Sequence, residues 1–154
     1  MRRPSVRDGT SDSIKLWPAY LSDMISHIDH LGVLVDDIEG NTEIYETLGL
    51  EVGAIETVED FDVRIAFIRV GEVLVELVEP LDEDLPENTA ELDHIAFAVD
   101  DIEAALSTLK EHDVPLADEE PRPGAGESIV AFLEERAANG VLIELVERFE
   151  EVQV

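Results

Sequence analysis

The 154-residue chain contains no cysteine, which excludes disulfides, thiolate metal sites and a cysteine nucleophile together. Any metal site would therefore be built from nitrogen and oxygen donors. Basic side chains are scarce as well: 10 Lys and Arg stand against 38 Asp and Glu, a formal charge of −28. Such a surface repels nucleic acid and anionic membranes, so neither is an expected partner. No apolar run approaches the roughly 20 residues of a membrane-spanning helix. An Asp-x-Asp-x-Asp-Gly calcium loop is also missing, so the acidity is not that of an EF-hand.

What is present is a hydrophobic fraction of 45%, enough for a buried core, with the charge coating a folded surface. That coat repels itself in dilute buffer, whereas molar salt shrinks the screening length to about 3 Å. A salt-rich cytoplasm, as in a halophile, is the expected setting. The basic start Met1–Arg7 runs into Asp8-Gly9-Thr10-Ser11-Asp12-Ser13 and not into an apolar stretch, which argues against a secretory signal and for a cytoplasmic protein. Residues 1–24 lack sustained periodicity and are expected to form an N-terminal leader or arm, docking through Trp17 and Tyr20 or arising from an upstream start. Residues 25–154 are expected to form one domain of two modules, 25–80 and 91–148.

The modules follow from an internal repeat. Ile28-Asp29-His30-Leu31-Gly32-Val33-Leu34-Val35-Asp36-Asp37-Ile38-Glu39 returns as Leu92-Asp93-His94-Ile95-Ala96-Phe97-Ala98-Val99-Asp100-Asp101-Ile102-Glu103. Each half also closes on a common motif: Val73-Leu74-Val75-Glu76-Leu77-Val78-Glu79 is matched by Val141-Leu142-Ile143-Glu144-Leu145-Val146-Glu147. A half reads as strand, helix and three strands. Asp36-Asp37 and Asp100-Asp101 are candidate helix N-caps, with helices running to about Thr47 and Glu111. Further strands are expected near Glu51–Thr57, Asp62–Val70 and Val73–Glu79, then Leu116–Glu120, Ser128–Leu133 and Val141–Arg148. Gly71-Glu72 and Asn139-Gly140 read as tight turns into the last strand of each half. The fold class is thus α+β, with two βαβββ modules paired about a pseudo-twofold axis and a curled mixed sheet around a central site.

Four polar residues stand out on these apolar strands. Glu76 shares a strand face with Leu74 and Val78, and Glu144 repeats this between Leu142 and Val146. Burying a mid-strand carboxylate is costly unless it is paired or bound. His30 and His94 sit on the first strand of each module, with Gly32 and Ala96 next on their own faces, leaving space beside the imidazoles. Brought together, two His and two Glu make a nitrogen and oxygen set suited to one divalent ion, Zn²⁺, Co²⁺, Ni²⁺ or Mn²⁺. The alternative is that the histidines are hydrogen-bonded core residues and the glutamates lie on exposed strands. His27 and His112 have no repeat partner and are expected at the surface.

These residues resemble the vicinal oxygen chelate (glyoxalase/bleomycin resistance/dioxygenase) superfamily over roughly Ile25 to Arg148. Within it, Ile28-Asp29-His30, Val75-Glu76-Leu77-Val78-Glu79-Pro80-Leu81, Asp93-His94-Ile95-Ala96-Phe97 and Gly140-Val141-Leu142-Ile143-Glu144-Leu145 look most like methylmalonyl-CoA epimerases. The most specific run is Asp118-Glu119-Glu120-Pro121-Arg122-Pro123-Gly124-Ala125-Gly126. The resemblance implies that His30, His94 and Glu144 are metal ligands and that Glu76 takes the fourth position. It implies an acyl thioester substrate, a homodimer, and epimerisation of methylmalonyl-CoA by α-proton abstraction through a metal-stabilised enolate; the pseudo-twofold relation, which sets Glu76 and Glu144 on opposite sides of the site, makes those two carboxylates the expected catalytic acid/base pair. Departures are Glu59-Asp60-Phe61-Asp62 in place of a Pro-Glu-Gln-Gly turn, and Glu134-Glu135-Arg136 in place of His-Pro-Lys. The third strand carries Arg64 and no carboxylate. Two rival readings belong to the same superfamily. Lactoylglutathione lyase (glyoxalase I) has the same ligand order, but it typically carries Arg and Asn where this chain has Leu34 and Pro80. A non-catalytic binding module would be expected to lose ligand positions, and all four are kept. Arg64, Arg69, Arg122 and Arg136 are the candidates for anion binding, or else salt-bridge partners on an acidic surface.

Overall fold

Each module is built on the pairing of its first strand with its last. The computed structural model describes residues 24–154, so the expected leader up to residue 23 lies outside the described residues. β1 (Ile25–Val35), β2 (Glu56–Val58), β3 (Val63–Val70) and β4 (Val73–Pro80) belong to the first module, together with a short helix α1 (Glu43–Thr47). β5 (Ala90–Val99), α2 (Ile102–Glu111), β6 (Arg122–Pro123), β7 (Ser128–Phe132) and β8 (Ile143–Arg148) form the second. All strands join one eight-stranded mixed sheet in the order β2-β3-β4-β1-β5-β8-β7-β6. The order is a palindrome of the two modules. β1 runs parallel to β4, β5 runs parallel to β8, and β1 meets β5 antiparallel at the centre. The expected α+β fold with paired βαβββ modules is the one observed.

Strand alternation divides the core between two faces. On one face of the first module Val35, Ile38, Ala66, Ile68 and Leu77 pack together, and in the second Ile102, Ala105 and Leu106 of α2 pack with Val99, Ala131 and Leu145 of the sheet. The other face carries Ile65, Phe67 and Leu74 against Ala125 of the second module, and Ala96, Val130 and Val146. Glu76 and Glu144 lie on this second face. The remaining glutamate of each closing motif has a structural task. Glu79 accepts from the Ile38 amide at 2.9 Å, and Glu147 accepts from the Ile102 amide at 2.9 Å. Each last strand thereby caps the first turn that follows its own module's first strand.

Three local expectations are corrected. The first-module helix breaks into a 3₁₀ turn (Glu39–Asn41) and the five-residue α1. Gly40, Asn41 and Thr42 are poor helix formers, and the Asn41 side chain bonds the Asp37 carbonyl at 2.7 Å, a local competitor of the helical ladder. The second module has Ala104-Ala105 there, and Asp101 caps the Ala104 amide at 3.0 Å. The second strand of each module also shrinks. In the first, Val52 makes an isolated bridge to Ile68 and the strand proper is Glu56–Val58; in the second, Leu116 makes an isolated bridge to Leu133 and β6 is Arg122–Pro123. Pro115, Pro121 and Pro123 remove the amide donors that a longer strand would need. Finally, Asn139-Gly140 is not a two-residue hairpin. A 3₁₀ turn (Glu135–Ala138) fills the connection between β7 and β8, and Asn139 at φ 53° and Gly140 at φ 102° end it in left-handed backbone.

Candidate metal centre

His30 and His94 stand on the central strands β1 and β5, and Glu76 and Glu144 on the flanking β4 and β8. The register sets Gly32 opposite His94, His30 opposite Ala96, and Glu76 and Glu144 beside Gly32 and Ala96 respectively. All four candidate ligands are buried, with exposures of 1% for His30 and 5% for Glu76, His94 and Glu144. The space beside the small residues is filled from across the strand pair. A Cβ on Gly32 would lie 2.0 Å from His94 Cε1, so the imidazole occupies the place where a side chain would be.

The two Nε2 atoms are 3.1 Å apart. Glu144 Oε1 is 3.0 Å from His30 Nε2 and 3.3 Å from His94 Nε2. Glu76 approaches the same two nitrogens at 3.4 and 3.6 Å, using one oxygen for each. His30, His94 and Glu144 can each offer one donor atom within 4.8 Å of the others. Glu76 completes a four-residue arrangement around the paired nitrogens.

A β-bulge supplies the outer partner of each histidine. Consecutive residues of a regular strand face opposite ways, yet His30 Nδ1 lies 2.7 Å from Asp29 Oδ2, and His94 Nδ1 lies 2.8 Å from Asp93 Oδ2. The pairing of β1 with β5 slips between Ile28 and His30 and again between Gly32 and Val33, making Asp29 and Asp93 the extra residues. Bulges re-aim side chains in this way. With Nδ1–H donated to each aspartate, both Nε2 atoms turn toward Glu76 and Glu144, each holding a proton there in the metal-free protein or offering its lone pair to an ion.

This arrangement fits a divalent cation. Two nitrogen lone pairs at 3.1 Å and two buried carboxylates repel one another unless positive charge lies among them. Glu144 Oε1 is fully buried and has no hydrogen-bond partner among the described residues. Donor separations of 3.0–3.6 Å match atoms lying about 2.0–2.2 Å from a shared centre. The electrostatics agree. Burial opposes an imidazolium at His30, but Glu76, Asp29 and Glu144 outweigh it and push the pKa up to about 9. At His94 burial is likewise outweighed, here by Asp93, Glu144 and Glu76, to about 12. Burial alone would raise the Glu144 carboxyl, but the facing imidazoles hold it below the usual carboxylate range.

A cavity of about 250 Å³ opens on the centre, lined by Glu76, His94 and Glu144 together with Phe61, Val78 and Phe132. Phe132 stacks edge-on with both Phe61 and His94, at 5.8 and 5.5 Å between ring centroids. Leu34 and Pro80 are also in the wall, and Asp82, Glu83 and Asp93 add acidic side chains.

A family model described as the Glyoxalase/Bleomycin resistance protein/Dioxygenase superfamily matches residues 29–132. The chain belongs to this superfamily. It is 38% identical over 80% of its length to the uncharacterised protein YqjC of Bacillus subtilis, covering 93% of that protein. It is 37% identical to an ethylmalonyl-CoA/methylmalonyl-CoA epimerase of Cereibacter sphaeroides over 79% of this chain and 98% of the relative. Among solved structures, a methylmalonyl-CoA epimerase in complex with methylmalonyl-CoA and NH4+ superimposes with a TM-score of 0.75 at 32% identity, covering 81% of this chain and 96% of that one. This superfamily member is therefore epimerase-like in both sequence and fold.

Of the arginines considered for anion binding, Arg64 pairs with Glu39 and Glu79, Arg69 faces Glu151 and bonds the Val152 carbonyl, and Arg136 pairs with Glu134. Arg122 faces Asp118 and lies over the Phe61 ring at 3.9 Å. The salt-bridge reading describes them. His27 and His112 are exposed. Sequence reasoning gave no role to Asp29, Asp93 or Arg148. The first two carried a signal, since Asp precedes His in both copies of the repeat.

Proposed function

We propose that the chain is a metal-dependent isomerase that epimerises methylmalonyl-CoA or a close acyl thioester, with one divalent ion held by His30, Glu76, His94 and Glu144. The observation that carries this reading is the buried set of two histidines and two glutamates, three of which, Glu76, His94 and Glu144, face a small cavity walled by Phe61, Val78 and Phe132. A bound ion would supply Lewis-acid stabilisation of negative charge developing on the thioester carbonyl oxygen.

The chain's own groups provide the rest. Asp29 and Asp93 hold the imidazoles with Nε2 inward. The aromatic edges of Phe61 and Phe132 exclude water from the acyl group. Glu76 and Glu144 come from strands related by the pseudo-twofold axis, and epimerisation needs one proton acceptor and one donor on opposite faces of the reacting carbon. Glu144, ionised at neutral pH, is in the form a base requires. Either carboxylate would have to keep an oxygen free of a bound ion to receive the proton. Leu34 and Pro80 stand in the cavity wall at positions where glutathione-dependent relatives carry Arg and Asn, which favours the acyl-CoA ester over a glutathione hemithioacetal. Homodimerisation and a salt-rich cytoplasmic setting are proposed with this reading.

The test is solvent-deuterium exchange into methylmalonyl-CoA by metal-loaded protein in high salt, run beside hemithioacetal isomerisation. Exchange is expected in the wild type and should fall by roughly 10²–10⁴-fold in Glu144→Gln. Activity on the hemithioacetal alone would move the protein to glyoxalase chemistry, and a metal-loaded protein inert toward both would refute the proposal. Equal metal content in His94→Ala and wild type would remove the ligand set.

A further inference from the structure

His30 and His94 are equivalent in the repeat but not in their surroundings. Asp29, which receives the His30 Nδ1 proton, is itself gripped by a two-pronged guanidinium contact. Arg148 Nε donates to Asp29 Oδ1 at 2.8 Å and Nη2 to Oδ2 at 2.7 Å, joining residues 119 positions apart. The remaining arm, Nη1, donates to the Ala125 carbonyl at 3.1 Å. Arg148 also lies over the Phe67 ring at 5.2 Å, and Phe67 in turn meets the His30 ring edge-on at 6.2 Å. Asp29, His30 and Arg148 are thus braced on several sides at once.

Asp93 has no such brace. Its side chain is 36% exposed against 6% for Asp29, and among the described residues no arginine or lysine pairs with it. The repeat explains why. Glu79 corresponds to Glu147, so the counterpart of Arg148 in the first module is Pro80, which has no charge to offer. Arg148 also stands away from the substrate side. It lines a separate cleft of about 550 Å³ with Asp29, Arg69 and Glu72, and it is not among the residues lining the cavity that holds Glu76, His94 and Glu144.

We infer that Arg148 is a positioning residue of the metal centre, acting through Asp29 to lock His30 as the fixed ligand and leaving His94 as the compliant one. This rests on the metal site proposed above and adds an asymmetry that the ligand set alone does not contain. A locked Asp29 presents one oxygen to Nδ1 in a single orientation, which keeps Nε2 aimed at the ion before it arrives. Removing the guanidinium frees the Asp29 rotamer and leaves its charge buried beside the site. Outer partners of metal-bound histidine are commonly worth 10–100-fold in metal affinity.

The probe is Co²⁺ alone, without substrate. Its affinity is measured by chelator competition and its environment by visible absorption, alongside the melting temperature of the metal-free protein, in high salt. Arg148→Met is expected to weaken Co²⁺ binding by roughly 10–100-fold and to shift the absorption bands. Arg148→Lys should recover only part of this, because an ammonium cannot reproduce the two-pronged contact, and it carries the comparison if Arg148→Met does not fold. Asp93→Asn should lose less affinity than Arg148→Met. Unchanged affinity and spectrum in both Arg148 variants, whatever happens to the melting temperature, would overturn the inference and leave the metal site standing. A loss in Asp93→Asn equal to that in Arg148→Met would overturn the asymmetry. A wild-type protein that binds no Co²⁺ would overturn the metal site and this inference together.

Discussion

Replacing Gly32 with alanine adds one methyl group at the most crowded point of the centre. The new Cβ would stand 2.0, 2.3 and 2.5 Å from Cε1, Nδ1 and Nε2 of His94. Ordinary contact begins near 3.4 Å, so the ring must retreat by about 1.4 Å or the strands must part. The strands have little room to give, since Gly32 is paired with Glu76 of β4 on one side and His94 of β5 on the other. A ring displacement of that size breaks the 2.8 Å contact with Asp93 and moves Nε2 off the shared centre. Gly32 does not adopt a left-handed backbone, so the penalty is one of contact only. Overpacking of this kind costs about 1–3 kcal/mol, and at this chain length each kcal/mol lowers the melting temperature by roughly 2–4 °C. Elsewhere a Gly→Ala change at a compatible position stabilises by about 0.4–1 kcal/mol through the unfolded chain, so even the sign is diagnostic. Calorimetry with and without Co²⁺ should show a lowered melting temperature and a greatly reduced increment on adding the ion. A Gly32→Ala protein that melts at or above wild type and keeps the full Co²⁺ increment would refute the packing argument.

The other expectations concern solvent. A histidine whose folded pKa is raised stabilises the fold fully below its unfolded value near 6.5 and loses that contribution as pH rises through the folded value, about 9 for His30 and about 12 for His94. The metal-free melting temperature should therefore fall between pH 6.5 and 9, while Co²⁺ affinity climbs over the same interval because the ion displaces protons; a metal-free melting temperature that rises there would contradict this. The charge of −28 predicts a melting temperature that increases from dilute buffer to multimolar KCl, and a flat or falling curve would remove the high-salt reading. Because Asp82, Glu83 and Asp93 line the cavity, KM for an anionic CoA ester should also fall as salt rises. A KM that rises with salt would show that attraction governs entry instead.

Much of the architecture was open to inspection in the chain itself. Strand alternation is a property of neighbouring residues, so it exposed Glu76 and Glu144 as misplaced carboxylates, and the repeat made His30 and His94 a pair. Repetition also implied the palindromic sheet, because two copies of one module packed about an axis must place equivalent strands symmetrically. Local breaks were harder to read. The first helix fails at Gly40-Asn41-Thr42 through side-chain competition, and Asn139-Gly140 serves a 3₁₀ turn because residues 133–142 lie between the paired strands, too long a connection for a two-residue hairpin. What only the tertiary structure decided were the contacts that cross the pattern. Asp29 and Asp93 reach their histidines because bulges between β1 and β5 suspend the alternation that would point them away, and pairing register is a property of two strands, not one. Arg148 meets Asp29 across 119 positions for a similar reason: no periodicity links the end of β8 to the middle of β1, and only the closing of the sheet places a guanidinium behind one histidine and a proline at the matching position behind the other.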